Sequence, residues 1–349
     1  MDQSSASNAN NREVGFSASM KYFVLILLIL LTAFAVNGQT PVDSDDVIRT
    51  ETDVTNLPFT VTDQQRRFIT TLRAEDVRVL EDGVQQQLFT FQRETDRPLA
   101  IAFLIDVSIS QQRTLSDEKA AARGFIEKAI QSHTDQAAII PFTGQAFLEL
   151  GLTSNVLNVY HVLEQVDVAI PAYQGAGRPL TGIRTGPGLP ATPDEGTTAI
   201  WDAIALTSSQ VLDHAQAQRR RAIVLLTDGL DTTSRLRRSD AIDAVLSAEA
   251  TVYVIGIGDS KGEGVNKTAL KEIAERTGGR AFFPKKAGDL EAAFTEIEQE
   301  LRTQYLLAYS STNKRRDGSY RKINVEITNP DLKKEKLVIR HRPGYFAKR

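Results

Sequence analysis

Between residues 97 and 302 the chain alternates short apolar runs with longer segments whose apolar positions recur every three to four residues. The runs at 99–106, 221–227 and 251–257 predict buried strands, and further strands are predicted at 137–142 and 146–150. The 137–142 and 146–150 strands are expected to pair as a hairpin. The longer segments predict helices at 114–132, 155–166, 199–213, 239–249, 266–277 and 287–302. This alternation predicts an α/β fold with a doubly wound, mostly parallel sheet.

The two flanks of this region show a different pattern, in which apolar and polar residues alternate one by one. The N-terminal flank, residues 57–96, and the C-terminal flank, residues 303–349, are therefore predicted to be β-rich. The predicted strands are 59–63, 77–83, 87–92, 304–309, 320–327 and 336–341. Because about forty residues make a small core on their own, we expect the two flanks to pack together as one small β-sandwich.

The first 56 residues show neither pattern. An apolar stretch of about 15 residues follows Met20 and a lysine, which predicts a signal peptide over residues 1–38. Cleavage after Ala35 and cleavage after Gly38 both fit, and Met20 is an alternative start. A span usually needs about 20 apolar residues, so an uncleaved membrane anchor is the second interpretation. With residues 39–56 as a polar linker, we expect an extracytoplasmic protein, periplasmic or secreted.

The composition of the chain limits the kinds of partner and of chemical site that the protein can have. Of the 349 residues, 41% are hydrophobic and 24% charged, and the formal net charge is −3, as in ordinary globular proteins. The basic residues are dispersed, which argues against a nucleic-acid partner. The absence of cysteine excludes disulfides, thiolate nucleophiles and zinc–thiolate sites.

The first apolar run ends in a cluster of oxygen-bearing side chains. Asp106, Ser108 and Ser110 follow it at alternate positions, where the chain leaves the sheet, so they can converge above its carboxyl edge. Hard oxygen ligands suit a small divalent cation, Mg²⁺ first. On its own the pattern is weak, because serines and aspartates after strands often cap the next helix.

Two further stretches place oxygen donors in corresponding positions. Thr198 precedes the predicted 199–213 helix, and Asp228 follows the 221–227 strand. Together, the D-x-S-x-S pattern, the threonine and the aspartate resemble the von Willebrand factor A (VWA) domain and its metal-ion-dependent adhesion site. The resemblance covers residues 97–302 and implies a Rossmann-like fold. The five matching positions are Asp106, Ser108, Ser110, Thr198 and Asp228.

The resemblance also implies roles for these residues. Ser108, Ser110 and Thr198 would contact a Mg²⁺ directly, whereas Asp106 and Asp228 would act directly or through water; Mn²⁺ and Ca²⁺ are alternative ions. The family often has Gly-Gly-Thr where this chain has Gly-Thr-Thr, so Thr197 is the alternative to Thr198. A glutamate or aspartate from a protein partner would fill an open coordination position on the metal.

The flanks resemble those of VWA-related proteins abundant in Acidobacteria. There, a V-x-E-D-G segment precedes the domain, and a Y-x-L-x-Y strand and a G-Y-F/Y ending follow it. The matching stretches here are Val79–Gly83, Tyr305–Tyr309 and Gly344–Phe346.

We therefore expect an exported, non-enzymatic binding module that recognises an acidic group of a protein partner through Mg²⁺. No histidine lies near the site, and Gly256-Ile-Gly258 lacks the third glycine of a nucleotide-binding loop, so an enzyme is disfavoured. A structural envelope protein whose metal site only stabilises the fold is the second hypothesis. Membrane contact is expected only through an uncleaved N-terminal segment.

One stretch interrupts the α/β pattern directly before Thr198. Residues 171–196 are dense in glycine and proline and show no periodicity, and long loops of this kind are usually functional or disordered. They are either a recognition loop that offers Tyr173, Arg178 and Arg184 to a partner, or a tolerated surface insertion.

Overall fold

The structure is a computed structural model, and it describes residues 54–93, 97–130, 133–168, 197–216, 219–257 and 265–348. The predicted signal peptide at 1–38 and the loop at 171–196 lie outside these residues. The described strands are β1 (Val54–Thr62), β2 (Val77–Glu81), β3 (Val84–Gln86), β4 (Leu88–Arg93), β5 (Leu99–Asp106), β6 (Gln136–Phe142), β7 (Leu150–Thr153), β8 (Arg220–Thr227), β9 (Ala250–Gly256), β10 (Ala281–Phe282), β11 (Tyr305–Ser310), β12 (Tyr320–Ile327), β13 (Val338–His341) and β14 (Gly344–Phe346). The described helices are α1 (Leu115–Ala129), α2 (Val156–Gln165), α3 (Ile200–Leu206), α4 (Arg238–Ser247), α5 (Lys267–Arg276), α6 (Ala287–Thr303) and α7 (Pro330–Lys334). None of these helices combines the length and the apolar character that crossing a membrane requires.

A central sheet takes up six of the described strands, in the order β10-β9-β8-β5-β6-β7. All neighbours run parallel except β7, which is antiparallel to β6. Every residue of β5 is buried, and its successive side chains enter cores on opposite faces of the sheet. Helices α3, α4 and α5 cover one face, and α1, α2 and α6 cover the other. This arrangement confirms the predicted α/β class with a mostly parallel sheet.

Two predictions inside this domain need correction. The strand expected at 146–150 is β7 at 150–153, and only an isolated bridge joins Phe142 to Ala146. Pro141 of β6 has no N–H to donate, so regular pairing does not extend along this part of the strand. The helix expected at 199–213 ends at Leu206 and continues as a π-helical turn over Thr207–Leu212.

Strands from both flanks combine in two antiparallel sheets of the described region, ordered β13-β1-β11-β4 and β14-β12-β2-β3. Each sheet mixes N-terminal and C-terminal strands, for instance through the pairing of β1 with β11. Phe59 and Tyr305 from one sheet share a buried core with Val79 and Val325 from the other. The flanks therefore form a sandwich, as predicted. Strand β1 begins at Val54, inside the segment predicted as a linker.

The flank motifs meet at one buried carboxylate in this sandwich. Glu81 Oε2 accepts hydrogen bonds from the phenols of Tyr309 and Tyr345, both at 2.9 Å. Its other oxygen accepts from the Ser311 hydroxyl and from Arg321 Nη1. Glu81, Tyr309 and Tyr345, which belong to three of the flank motifs, are thus partners in one hydrogen-bonded network.

Candidate metal centre

Asp106 ends β5 at the carboxyl edge of the central sheet and is fully buried. Its Oδ1 accepts from the backbone N–H of Ser108 at 3.0 Å, and its Oδ2 accepts from Thr227 Oγ1 at 2.7 Å. Thr227 Oγ1 itself accepts from the Gly229 N–H at 3.1 Å. The threonine hydroxyl has one proton, so this arrangement aims that proton at Asp106 and fixes the carboxylate between the two central strands.

Burial raises the pKa of Asp106 to about 6, against the opposing effect of the hydrogen bonds from Ser108 and Thr227. The charge of Asp228 adds to the increase. A cation close to a buried carboxyl group lowers its pKa and so favours the ionised form. The local environment of Asp106 is therefore suited to a bound positive charge.

The hydroxyls of Ser108 and Ser110 lie 2.9 Å apart. Ser108 is buried, whereas Ser110 is exposed and lies in the 3₁₀ turn Ile109–Arg113 that follows. Ser108 occupies the N-cap position of that turn, but its side chain makes no capping hydrogen bond. The capping alternative therefore does not account for the Ser108 hydroxyl, and two oxygen donors stand side by side.

Thr198 is held by its backbone beside the chain that follows β8. Its N–H donates to Thr232 Oγ1 and its carbonyl accepts from the Thr232 N–H, both at 2.8 Å. The next residue, Ala199, donates its N–H to the Thr143 carbonyl at the end of β6 at 2.7 Å. Within the described residues the buried Thr198 hydroxyl makes no hydrogen bond. The Thr198 hydroxyl oxygen is therefore available as a metal ligand.

Thr197, the alternative ligand, is placed differently. Its Oγ1 lies 2.5 Å from the position that a Cβ on Gly144 would occupy. Thr197 therefore packs over the turn after β6, where only a glycine leaves room for it. Thr198 stays the predicted ligand, since its hydroxyl has no such packing role.

Asp228 follows β8 and is half-buried. The next residue, Gly229, has φ +88°, a left-handed conformation that glycine adopts without strain. Farther along the loop, Asp231 Oδ1 accepts from the Ile200 N–H at 2.8 Å and Ser234 Oγ accepts from the Trp201 N–H at 3.0 Å. Asp231 and Ser234 therefore cap α3, which fixes the chain after β8 against the chain that carries Thr198.

Two residues that the sequence analysis did not single out underlie the site. Glu118 is buried in α1, and burial together with the charges of Asp106 and Asp228 raises its pKa to about 8. The hydrogen-bond network assigns the Gln111 amide so that its nitrogen donates to Glu118 Oε1 and its oxygen accepts from the Asp228 N–H, both at 2.9 Å. The signal for Glu118 was present, because it lies on the apolar face of α1 between Leu115 and Ala122.

All donors gathered here are oxygens, and several are neutral hydroxyls. No three histidine, cysteine, aspartate or glutamate side chains of the described residues are grouped to hold a metal. A cation at this edge would therefore depend on the serine and threonine hydroxyls as well as the carboxylates. Such a set of hard oxygen donors suits Mg²⁺.

Comparison with known proteins gives a family match within the central domain. Residues 189–296 match the family described as von Willebrand factor type A domain. This match confirms the predicted VWA domain over that range, which contains Thr198 and Asp228. No curated protein matches the chain.

Several solved structures are similar to the chain. Proximal thread matrix protein 1 from the mussel byssus, with a zinc-occupied MIDAS motif, is 18% identical with a TM-score of 0.47, and the match covers 63% of this chain and 50% of that one. BatB from Bacteroides thetaiotaomicron is 20% identical with a TM-score of 0.42, covering 58% and 98%. A von Willebrand factor type A protein from Catenulispora acidiphila is 12% identical with a TM-score of 0.44, covering 80% and 71%. The chain spans about half the length of the mussel protein.

Proposed function

Because residues 189–296 match the VWA domain family, we propose that this protein is a non-enzymatic binding module that recognises a protein partner through Mg²⁺. The observation that carries the proposal is the paired hydroxyls of Ser108 and Ser110, 2.9 Å apart, directly after the buried Asp106. They stand at the carboxyl edge of a parallel sheet, where α/β folds bind ligands.

The five predicted residues have different roles around the ion. Ser108, Ser110 and Thr198 supply neutral oxygens to the metal. Asp106 already accepts two hydrogen bonds, so it acts mainly through water, and Asp228 acts directly or through water. Mg²⁺ keeps several waters and seeks anionic oxygens, and neutral ligands leave its charge undercompensated.

An acidic side chain of a partner would complete this coordination. It would replace one water and neutralise charge that the hydroxyls leave in place. The surface next to the serines also favours protein contact, since the Ile109 side chain between them is 52% exposed. A carboxylate at the metal with apolar contact around it is the chemistry of a protein partner rather than of a free ion.

We propose further that the protein acts outside the cytoplasm. This part of the proposal rests on the apolar stretch after Met20 and on the absence of cysteine. Sequencing the N-terminus of protein recovered from the periplasm or the medium tests it. A new terminus after Ala35 or Gly38 supports export with cleavage, whereas a chain retained whole in the cytoplasm contradicts it.

The competing function is a structural envelope protein whose metal only stabilises the fold. The binding module and the structural protein differ in whether the bound metal ion keeps a coordinated water that can be exchanged. Water-proton relaxation with Mn²⁺ in place of Mg²⁺ measures this, because exchangeable waters on bound Mn²⁺ enhance relaxation.

We expect the enhancement to fall when a peptide with an exposed glutamate is added, and to stay unchanged with the same peptide carrying glutamine. The Ser110→Ala variant should bind less Mn²⁺, and Ser319→Ala in the distant sandwich serves as its control. The structural alternative is favoured if bound Mn²⁺ gives no relaxation enhancement, or if the acidic peptide leaves the enhancement unchanged.

A further inference from the structure

A small cavity lies at the opposite edge of the central sheet, where the parallel strands begin. Its volume is about 40 Å³, and its walls come from the starts of β8 and β9, the end of α6 and strands of the sandwich. Five arginines line it: Arg97, Arg219, Arg220, Arg221 and Arg342. The side chains that line the cavity are therefore mostly positively charged.

The lining contains a single acidic side chain, Glu249. That residue is exposed, and both oxygens of its carboxylate lie 3.4 Å from the amide nitrogen of Asn56. Guanidinium groups stay protonated in proteins. The cavity lining therefore combines five arginines with one exposed carboxylate.

Three of these arginines keep a buried donor without a partner. In the described residues, Arg219 Nε, Arg221 Nε and Arg342 Nε make no hydrogen bond. Their printed hydrogen bonds are to neutral carbonyls. Arg221 donates to Ala248 and Ala215 and Arg342 donates to Asn56, all at 2.8 Å. Arg219 donates to the Thr134 carbonyl. Buried charges are normally paired. Within the described part of the chain no carboxylate lies within ion-pair distance of these three guanidinium groups, and the nearest negative charge acting on Arg342 is that of Glu249.

Another buried arginine in the same protein shows the usual arrangement. Arg321 in the sandwich also has an unpartnered Nε, but its Nη1 lies 3.3 Å from the carboxylate of Glu81. The protein therefore supplies a carboxylate to a buried guanidinium in the sandwich. At the cavity the arginines outnumber the carboxylates, and the one carboxylate of the lining, Glu249, is exposed.

We infer that this cavity binds a small inorganic anion, held by Arg219, Arg221 and Arg342. One water needs about 10–15 Å³ of such space, so the cavity has room for a single small ion and excludes larger ligands. Guanidinium forks match oxyanions in geometry and charge. Because the walls come from both the sheet and the sandwich, the bound anion ties these two parts together.

Binding to the folded state alone must raise its stability with a saturable dependence on anion concentration. The test follows thermal unfolding of the chain in EDTA at constant ionic strength. Chloride, sulfate and phosphate each replace gluconate in separate titrations. We expect a saturable rise in Tm for at least one anion, and the order of half-saturation identifies whether a halide or an oxyanion is preferred.

Three variants locate the effect. Arg342→Gln and Arg221→Gln should raise the half-saturating concentration at least about tenfold, the loss expected for a charge-assisted hydrogen bond. Arg321→Gln is the matched control: it should lower Tm but leave the half-saturating concentration unchanged. If Arg342→Gln fails to fold, Arg221→Gln alone tests whether the arginines bind the anion, because Arg221 is less buried than Arg342.

Two outcomes overturn the inference. One is a Tm that rises linearly with every salt and never saturates, as expected for a general salt effect on a water-filled cavity. The other is a half-saturating concentration that Arg221→Gln and Arg342→Gln leave unchanged.

Discussion

Thr227 Oγ1 donates a hydrogen bond to Oδ2 of Asp106 at 2.7 Å and thereby joins the ends of the two central strands. Both residues are fully buried. The carboxylate that opens the D-x-S-x-S pattern is thus oriented by the strand that leads to Asp228. The candidate metal centre is therefore built across β5 and β8 rather than on one loop.

Thr227→Val removes this donor while keeping the shape of the side chain. We expect the free energy of unfolding to fall by about 1–3 kcal/mol, because a buried carboxylate oxygen loses its partner. Mg²⁺ affinity should fall about 10–100-fold, as for other groups that orient a metal's surroundings. Urea unfolding and calorimetry measure the two effects. Thr227→Ser retains the hydroxyl and should bind like the wild type, and a Thr227→Val variant with unchanged affinity would refute the orienting role.

Glu118→Gln tests the buried acid beneath the site. The pKa of Glu118 is raised from 4.5 to about 8 in the folded protein, so between these pH values the unfolded state ionises and the folded state does not. Stability contributed by the protonated group is thus complete below pH 4.5 and is lost as pH rises towards 8.

Each pKa unit corresponds to about 1.4 kcal/mol, and we expect Glu118→Gln to be roughly 2–4 kcal/mol more stable than the wild type at pH 8. At pH 4.5 the two should be equal. Urea unfolding in EDTA across this range measures the difference, with exposed Glu127→Gln on the same helix as control. Parallel pH profiles for wild type and Glu118→Gln would be evidence against a protonated Glu118.

Gly229→Ala probes the turn after β8. Gly229 has φ +88°, and an added Cβ would lie 2.7 Å from Leu270 Cδ1. Gly83 has φ +84° but open space around it, so Gly83→Ala isolates the backbone cost of about 1–2 kcal/mol. We expect Gly229→Ala to lose more stability than Gly83→Ala in urea unfolding and to weaken Mg²⁺ binding, which Gly83→Ala should leave intact. Equal losses in both variants would mean that the close approach to Leu270 has no effect.

Glu81→Ala tests the network that joins the flanks. Arg321 would keep a buried charge without its carboxylate, so we expect a loss of about 3–5 kcal/mol. Glu326→Ala is the control, since it breaks an exposed pair with Arg78, worth at most about 1 kcal/mol. Urea unfolding compares the two, and similar small losses would show that the Glu81 network contributes little.

Much of the fold was predictable because the strands are strongly apolar. The run that forms β5 has no polar interruption before Asp106, and its burial on both faces follows from that. The pairing of the flanks followed from their small size. In contrast, β7 was misplaced because Pro141 removes a backbone donor from its partner strand, an effect that apolar alternation does not reveal.

The candidate centre was predictable only in part. Most of the oxygen-bearing residues follow strand ends, and Thr198 precedes α3, so all of them are visible in the sequence. The bond from Thr227 to Asp106 depends on the register of two strands 121 residues apart, which no local pattern specifies. Glu118 is visible in the sequence on the apolar face of α1, but its place beside the site depends on the turn that brings Gln111 next to it.

The central claim is that Asp106 and its neighbours bind one divalent cation. Calorimetric titration of residues 39–349 with Mg²⁺ and Mn²⁺ tests it most directly, with Asp106→Ala as the variant and the exposed Asp331→Ala as the matched control. We expect saturable binding of about one ion per chain in the wild type and in Asp331→Ala, since a site of this kind holds a single ion, and none in Asp106→Ala. No saturable binding in the wild type, or equal binding in Asp106→Ala, would contradict the metal-dependent mechanism.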